Sequence, residues 1–350
     1  MSSNGTDTAV MTTNVEMAEV GWSWKSFLSS WSDLMHLISA VLGIIGNLLV
    51  LLALWKRRAS TRSTDRLIGA LALADFLTSI FIIPLPGAIT VPSSIMGKVY
   101  CKMVLPGLFL FVCFTSSIYI LMAISIERYM AVVYPLVYGR LVTRRGLLPA
   151  ILAFIWFSTF SVYFVFVMTV VTVDPGSHKC ILDYASTASQ VVTGVFYLIY
   201  RLILPTTVML TTQILIARSL HLRSARYGPK KGVSFHVKAR NRVLQLMLIV
   251  ILVYIICWGP GQIFFFLYSV GAIPPTFIGS TFHTFVIVLT AYNSCLNPII
   301  YVAWFPEFRC ALKQVFNCNI ASTSSPIFHQ DETGDDNAER RETDSTMTNI

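Results

Sequence analysis

Long apolar runs dominate this chain, and short polar segments separate them. Seven runs can be marked, at approximately residues 34–55, 67–91, 103–126, 147–173, 190–217, 243–268 and 277–304. Each exceeds the roughly 20 residues that a helix needs to cross a hydrocarbon core. Period-2 alternation is absent from them, which speaks against a membrane β-barrel. The pattern predicts an all-α integral membrane protein, a bundle of seven transmembrane helices. Beyond the seventh run the pattern changes. In WFPEFRCALKQVFNC, residues 304–318, Phe308, Leu312 and Phe316 recur at every fourth position, while Arg309, Lys313 and Gln314 fall elsewhere. That spacing predicts a short amphipathic helix lying on the membrane surface.

Four regions follow: an outer N-terminal segment 1–33, the bundle 34–304, the surface helix 305–318 and a tail 319–350. The tail is rich in acids, serine and threonine and poor in large apolar residues, and is expected to be disordered.

Composition agrees. Of 350 residues, 55% are hydrophobic and only 12% charged, against about 25% charged in soluble domains. The charges are placed unevenly. The first, third and fifth connections carry net +4, +3 and +8. The N-terminal segment carries −3, and the second, fourth and sixth connections carry +2, −1 and 0. The positive-inside rule therefore puts the N-terminus outside and the C-terminus in the cytoplasm. The net charge of +9 reads as a topology signal rather than as a nucleic-acid patch. Asn4-Gly5-Thr6 is then a glycosylation sequon on the outer side. Of seven cysteines, only Cys101 and Cys180 fall in outer connections, the oxidising side, and they make the natural disulfide pair. Cys318 ends the amphipathic helix and is a candidate palmitoylation site, an unmodified thiol being the alternative. No cysteine–histidine cluster suggests a metal, and no paired catalytic groups suggest an enzyme.

Few charges interrupt the runs. Asp75 and Arg201 stand out, with Glu127 and Arg128 at the end of the third. A guanidinium at mid-membrane costs roughly 2.5–3.5 kcal/mol on insertion scales, so Arg201 needs an offsetting partner. Pro205, four residues on, cannot donate a hydrogen bond, and so frees the carbonyl of residue 201.

The motifs form an ordered set. They are Gly46-Asn47 in the first run, LALAD ending at Asp75 in the second, SIERYMAVVYPL (125–136) at the end of the third, Trp156 in the fourth and Pro205 in the fifth. CWGP (257–260) in the sixth and NPIIY (297–301) in the seventh complete it. Together they resemble the rhodopsin-like G-protein-coupled receptors over residues 34–316. SIERYMAVVYP and YNSCLNPIIY are similar to the neuropeptide group that includes somatostatin, galanin and allatostatin receptors.

The resemblance implies a role for each position. Arg128 would meet a heterotrimeric G protein when the receptor opens, and Glu127 would restrain it at rest. Trp258 would lie beneath the ligand, Pro260 would kink the sixth helix into a hinge, and Asn297, Pro298 and Tyr301 would form the switch of the seventh. Asp75, Ser117, Asn293, Ser294 and Asn297 resemble a sodium pocket. A protonated, hydrogen-bonded Asp75 with waters is the alternative. The Ser/Thr-rich tail would be phosphorylated by receptor kinases and bind arrestin, or simply be solvated. Thr348-Asn349-Ile350 resembles a PDZ ligand.

The departures from the family carry information. Cys101 and Arg128 lie 27 positions apart, about two more than is usual there. A bulge near Pro106 and Gly107 would absorb the difference. The position where amine receptors carry an aspartate is Leu108 or Leu110, depending on register, so a monoamine is disfavoured. Gln213 replaces a customary tyrosine.

Arg201 falls on the ligand-facing stretch of the fifth helix. It would bind an anionic group of the ligand, or else snorkel to Asp183 or a loop carbonyl. Gln262, Phe265, Tyr268 and His283 lie above Trp258 and complete the candidate ligand set. A neuropeptide is the favoured ligand, with a small acid or a lipid as the alternative. A membrane transporter is more distant, because the odd span count shows no internal repeat.

Overall fold

The computed structural model describes residues 21–56, 63–105, 107–142, 144, 146–227, 233–304 and 306–316. Asn4, Pro106, Cys318, the acidic tail and the C-terminal tripeptide lie outside these residues.

A two-residue strand β1 (Ser23–Trp24) leads into α1 (Trp31–Lys56), followed by α2 (Ser63–Phe81). The second apolar run predicts a helix as far as residue 91, but α2 stops ten residues earlier. Pro84 and Pro86 supply no N–H to continue it, and the chain turns instead into strand β2 (Ala88–Thr90), which pairs with β1. Next come α3 (Ile95–Val99), a π-turn over Tyr100–Val104, and the long α4 (Leu108–Val133). Helix α5 (Pro135–Val142) and helix α6 (Leu147–Val170) follow, then a hairpin of β3 (Val171–Val173) and β4 (Cys180–Leu182). Helix α7 (Thr187–Leu198) passes through a second π-turn (Ile199–Ile203) into α8 (Leu204–Tyr227). The last described elements are α9 (Val233–Ser269), α10 (Thr281–Trp304) and α11 (Pro306–Phe316).

Six helical stretches among the described residues are long and apolar enough to cross a membrane. The seventh bundle helix, α2, has 19 residues and carries Asp65, Arg66 and Asp75.

Polar groups gather inside this bundle, and many large apolar side chains face outward. Asn47, Asp75, Ser117, Ser294 and Asn297 are buried, whereas Phe154 and Phe157 on α6 are 70% and 72% exposed. A hydrocarbon solvent imposes this arrangement, because a backbone or side-chain dipole facing lipid finds no partner. Small residues let helices approach closely. A Cβ on Gly46 would meet the Pro298 ring at 2.9 Å, so α1 packs against α10 only because that position is glycine. Hydrogen bonds fix the contact: Ser39 Oγ donates to the Ala291 carbonyl at 3.1 Å, and Asn47 Nδ2 to the Ser294 carbonyl at 3.1 Å.

The extra residues between Cys101 and Arg128 are accounted for here. In the first π-turn Leu105 N donates to the Tyr100 carbonyl, a wide turn that takes in one residue more than an α-turn. Gly107 then adopts a left-handed conformation (φ 64°, ψ 48°) before α4 begins. Leu108 is consequently buried with Tyr163 and Val167, while Leu110 packs against the separate cluster that holds Phe114 and Trp258. The register counted back from Arg128 is the one that meets the cluster holding Trp258. A disulfide joins Cys101 to Cys180, Cα–Cα 5.4 Å, as expected, and pins the β3–β4 hairpin to the top of α4.

Helix α11 is amphipathic. Phe308 and Ala311 are buried, Leu312 is half-buried and Lys313 is exposed. Lys56 Nζ donates to the Val315 carbonyl at 3.1 Å, placing a positive charge at the carbonyl end of α11.

Candidate functional site

Three groups of residues emerge along the bundle. The first surrounds Arg201, which is only 6% exposed. Proline at 205 removes the donor that would bind the residue 201 carbonyl, and the chain answers with the π-turn. The freed carbonyls are satisfied from two neighbouring helices. Tyr254 on α9 donates its hydroxyl to the Arg201 carbonyl, and Tyr119 on α4 donates to the Tyr200 carbonyl at 3.0 Å.

The guanidinium lies over three rings, with its carbon 4.4 Å from the Tyr197 centroid, 5.1 Å from Tyr163 and 5.2 Å from Phe111. Cation–π contacts are worth about 0.5–2 kcal/mol each. The box thus offsets much of the roughly 2.5–3.5 kcal/mol cost of the charge. One donor remains unsatisfied: Arg201 Nε has no hydrogen-bond partner. The snorkelling alternative is not what forms. Asp183 is exposed, and among the described residues no carboxylate lies within ion-pairing distance of Arg201.

The other predicted ligand residues divide. Phe265 meets Tyr197 edge-on at 6.1 Å, and so adjoins the box. Phe111 leads through Phe114 (6.1 Å) to Trp258, which Phe114 contacts edge-on at 5.2 Å. Trp258 is fully buried and its Nε1 has no partner; Gln262, one turn along α9, is buried with Oε1 unpartnered. Tyr268 and His283 sit further out. The Tyr268 carbonyl accepts from Gln190 at 3.5 Å. His283 accepts from Gly279 N at 3.2 Å and packs on Phe277, so it is engaged at the start of α10 rather than at the box.

The second group surrounds Asp75, which is fully buried. Ser117 Oγ donates to Oδ1 at 2.7 Å and Asn297 Nδ2 to Oδ2 at 2.8 Å. The Ser294 hydroxyl is near enough to act on the carboxylate without bonding to it directly. Asn293 is buried one residue earlier, and among the described residues it makes no hydrogen bond to Asp75. Carboxylate, hydroxyl and amide oxygens are the hard donors that suit a monovalent or divalent hard cation.

The third group is the charged pair at the far end of α4. Arg128 Nε donates to Glu127 Oε2 at 2.9 Å. Glu127 Oε1 accepts from Thr64 Oγ1 at 2.7 Å and from the Tyr138 hydroxyl at 2.5 Å. The carboxylate is therefore held from three elements. Two residues of the seventh-helix motif, Pro298 and Tyr301, are buried on α10, where Tyr301 packs against Phe308 of α11 at 6.1 Å. Pro260 lies inside α9, two residues beyond Trp258.

Sequence reading alone did not pick out Phe111, Tyr163, Tyr197, Tyr119, Tyr254, Thr64 or Tyr138. A signal existed for Tyr197, which precedes Arg201 by one helical turn. The others come from distant helices and left no local trace.

Residues 46–301 match the family described as 7 transmembrane receptor (rhodopsin family). The chain is 30% identical over 309 residues to galanin receptor 2a of Danio rerio, covering 83% of this chain and 81% of that one. It is 26% identical over 291 residues to the allatostatin-A receptor of Bombyx mori, covering 79% and 77%. It is 26% identical over 323 residues to somatostatin receptor type 2 of Sus scrofa, covering 90% and 84%. With its bundle, its buried Asp75 cluster and its Glu127–Arg128 pair already in place, the chain belongs to the rhodopsin family of seven-transmembrane receptors.

Proposed function

We propose that this protein is a cell-surface receptor that binds an extracellular peptide and passes the event to heterotrimeric G proteins. The observation that carries the reading is one helix. Helix α4 bears Phe111 and Phe114 near Arg201 and Trp258 at one end, and the Glu127–Arg128 pair at the other. Ligand contact at one end can thus bias a charged pair at the other. Relatives named for galanin, allatostatin-A and somatostatin support a peptide over a small acid or lipid.

In this reading Arg201, Gln262 and Phe265 contact the ligand directly, with Tyr268 and His283 at the outer rim. Trp258 and the Pro260 hinge relay the contact. Asn297, Pro298 and Tyr301 rearrange on α10, and Glu127 releases Arg128 to the G protein. Asp75, Ser117, Asn293, Ser294 and Asn297 would hold a sodium ion, which supplies a counter-charge to the buried carboxylate. The receptor sits in the plasma membrane with the N-terminus outside and the basic connections in the cytoplasm. Receptor kinases, arrestin and a PDZ protein would act on the C-terminal tail.

The test uses cells expressing the chain with several G-protein activation reporters. Fractionated tissue extracts are applied before and after digestion with a broad protease. Loss of activity on digestion supports the peptide. Survival points to a small acid or lipid. Substrate accumulation in vesicles without any G-protein response would instead indicate a transporter.

A further inference from the structure

We infer that the ligand carries a carboxylate, and that this carboxylate binds the Arg201 guanidinium inside the ring of Phe111, Tyr163 and Tyr197. The inference rests on the receptor reading and adds to it the chemical class of the ligand.

The charge of Arg201 and its hydrogen-bonding capacity are met to different degrees. Three ring faces attract the cation, but a ring face is a poor acceptor for an N–H. Arg201 Nε is left without a partner although the residue is more than nine-tenths buried. The Tyr163 hydroxyl hydrogen-bonds the guanidinium but leaves Nε unpaired. Buried donors in folded proteins are nearly always paired, so the vacancy calls for an acceptor brought from outside the chain. Among the described residues no carboxylate faces it as a counter-ion. A planar carboxylate meets a guanidinium through two parallel hydrogen bonds and cancels the charge as well.

The surroundings fit such a guest. The box continues through Tyr197 to Phe265 and through Phe111 and Phe114 to Trp258. Those aromatic walls suit an apolar group attached to the acid. Trp258 Nε1 and Gln262 Oε1, both buried and unpartnered, offer one donor and one acceptor for the polar remainder. An amine would instead meet a like charge, in keeping with leucine at both 108 and 110.

The experiment measures thermal unfolding of the purified full chain in lipid nanodiscs with two matched probes, 3-phenylpropionate and 3-phenylpropanamide. At about 10 mM, a probe of Kd about 1 mM is nine-tenths bound. The acid is expected to raise the midpoint saturably and the amide to leave it unchanged, and Arg201→Gln should abolish the acid's effect. Arg201→Lys keeps the charge but loses the fork, and should weaken the acid about tenfold; it also serves if Arg201→Gln fails to fold. Equal shifts from acid and amide, no shift from the acid, or an undiminished shift in both variants would overturn the inference.

The active extract fraction supplies the second arm. Amidating its carboxylates with carbodiimide and methylamine should cut potency tenfold or more, and unchanged potency would again overturn the inference. Carboxypeptidase then separates a C-terminal carboxylate from an acidic side chain. Protease digestion judges the peptide reading independently, since a carboxylate requirement that survives it means a small acid.

Discussion

The Tyr254 hydroxyl donates to the backbone carbonyl of Arg201. The bond links α9, four residues before Trp258, to the turn that presents the buried guanidinium. Proline at 205 creates the vacancy and a tyrosine on another helix fills it. Removing the hydroxyl alone, in Tyr254→Phe, leaves a buried carbonyl unpaired and should cost about 1–3 kcal/mol. Thermal unfolding of the purified receptor checks this. Tyr119→Phe, which frees the neighbouring Tyr200 carbonyl, should behave alike. A midpoint unchanged in both variants would mean that water replaces the two hydroxyls without loss.

Glu127 is gripped by Arg128, Thr64 and Tyr138. Glu127→Gln keeps an oxygen for Thr64 and Tyr138 but cancels the ionic attraction to Arg128. Basal nucleotide exchange on a co-expressed G protein should rise about 5–30-fold, the effect of 1–2 kcal/mol on a two-state balance. Thr64→Ala should produce a smaller rise in the same direction. Basal exchange equal to that of the native chain in both variants would remove the pair from the resting-state restraint.

A sodium ion at Asp75 would stabilise the receptor by about 1.4 kcal/mol when present at ten times its dissociation constant. The unfolding midpoint should therefore be higher in sodium chloride than in choline chloride at equal ionic strength. Asp75→Asn should erase the difference, and its single amide oxygen keeps one of the two hydrogen bonds that the carboxylate accepts. A midpoint indifferent to the cation in the native chain would leave Asp75 as a hydrogen-bonded carboxyl.

Gly46 and Gly69 make opposite predictions. A methyl at Gly46 would strike the rigid Pro298 ring at 2.9 Å, whereas at Gly69 the nearest atom is a flexible Leu54 methyl at 3.5 Å. Gly46→Ala should destabilise by about 1–3 kcal/mol through overpacking. Gly69→Ala should be neutral or stabilising by up to about 1 kcal/mol, since alanine favours a helix more than glycine does. Parallel melts of the two variants decide, and similar behaviour would show that α1 and α10 can move apart at no cost.

Much of this architecture is legible in the sequence by itself. The membrane spans, the surface helix over Phe308 and Leu312, the Cys101–Cys180 pair and the freed carbonyl at residue 201 all follow from local chemistry. They depend on the cost of placing polar groups in hydrocarbon, on the compartment a cysteine faces, and on the missing N–H of one proline. The early end of α2 was legible too, in Pro84 and Pro86, but the apolar run masked it.

Tertiary structure alone decided what answers each local demand. Nothing near residue 201 says that its charge meets Phe111 and Tyr163, or that its carbonyl meets Tyr254. Nor does SIERY reveal that Glu127 also holds Thr64 and Tyr138. The choice between Leu108 and Leu110 was likewise settled by a π-turn and a left-handed glycine upstream. Sequence periodicity records which face of a helix avoids lipid. Which neighbour that face meets depends on how seven helices pack together, and each contact joins residues far apart in the chain.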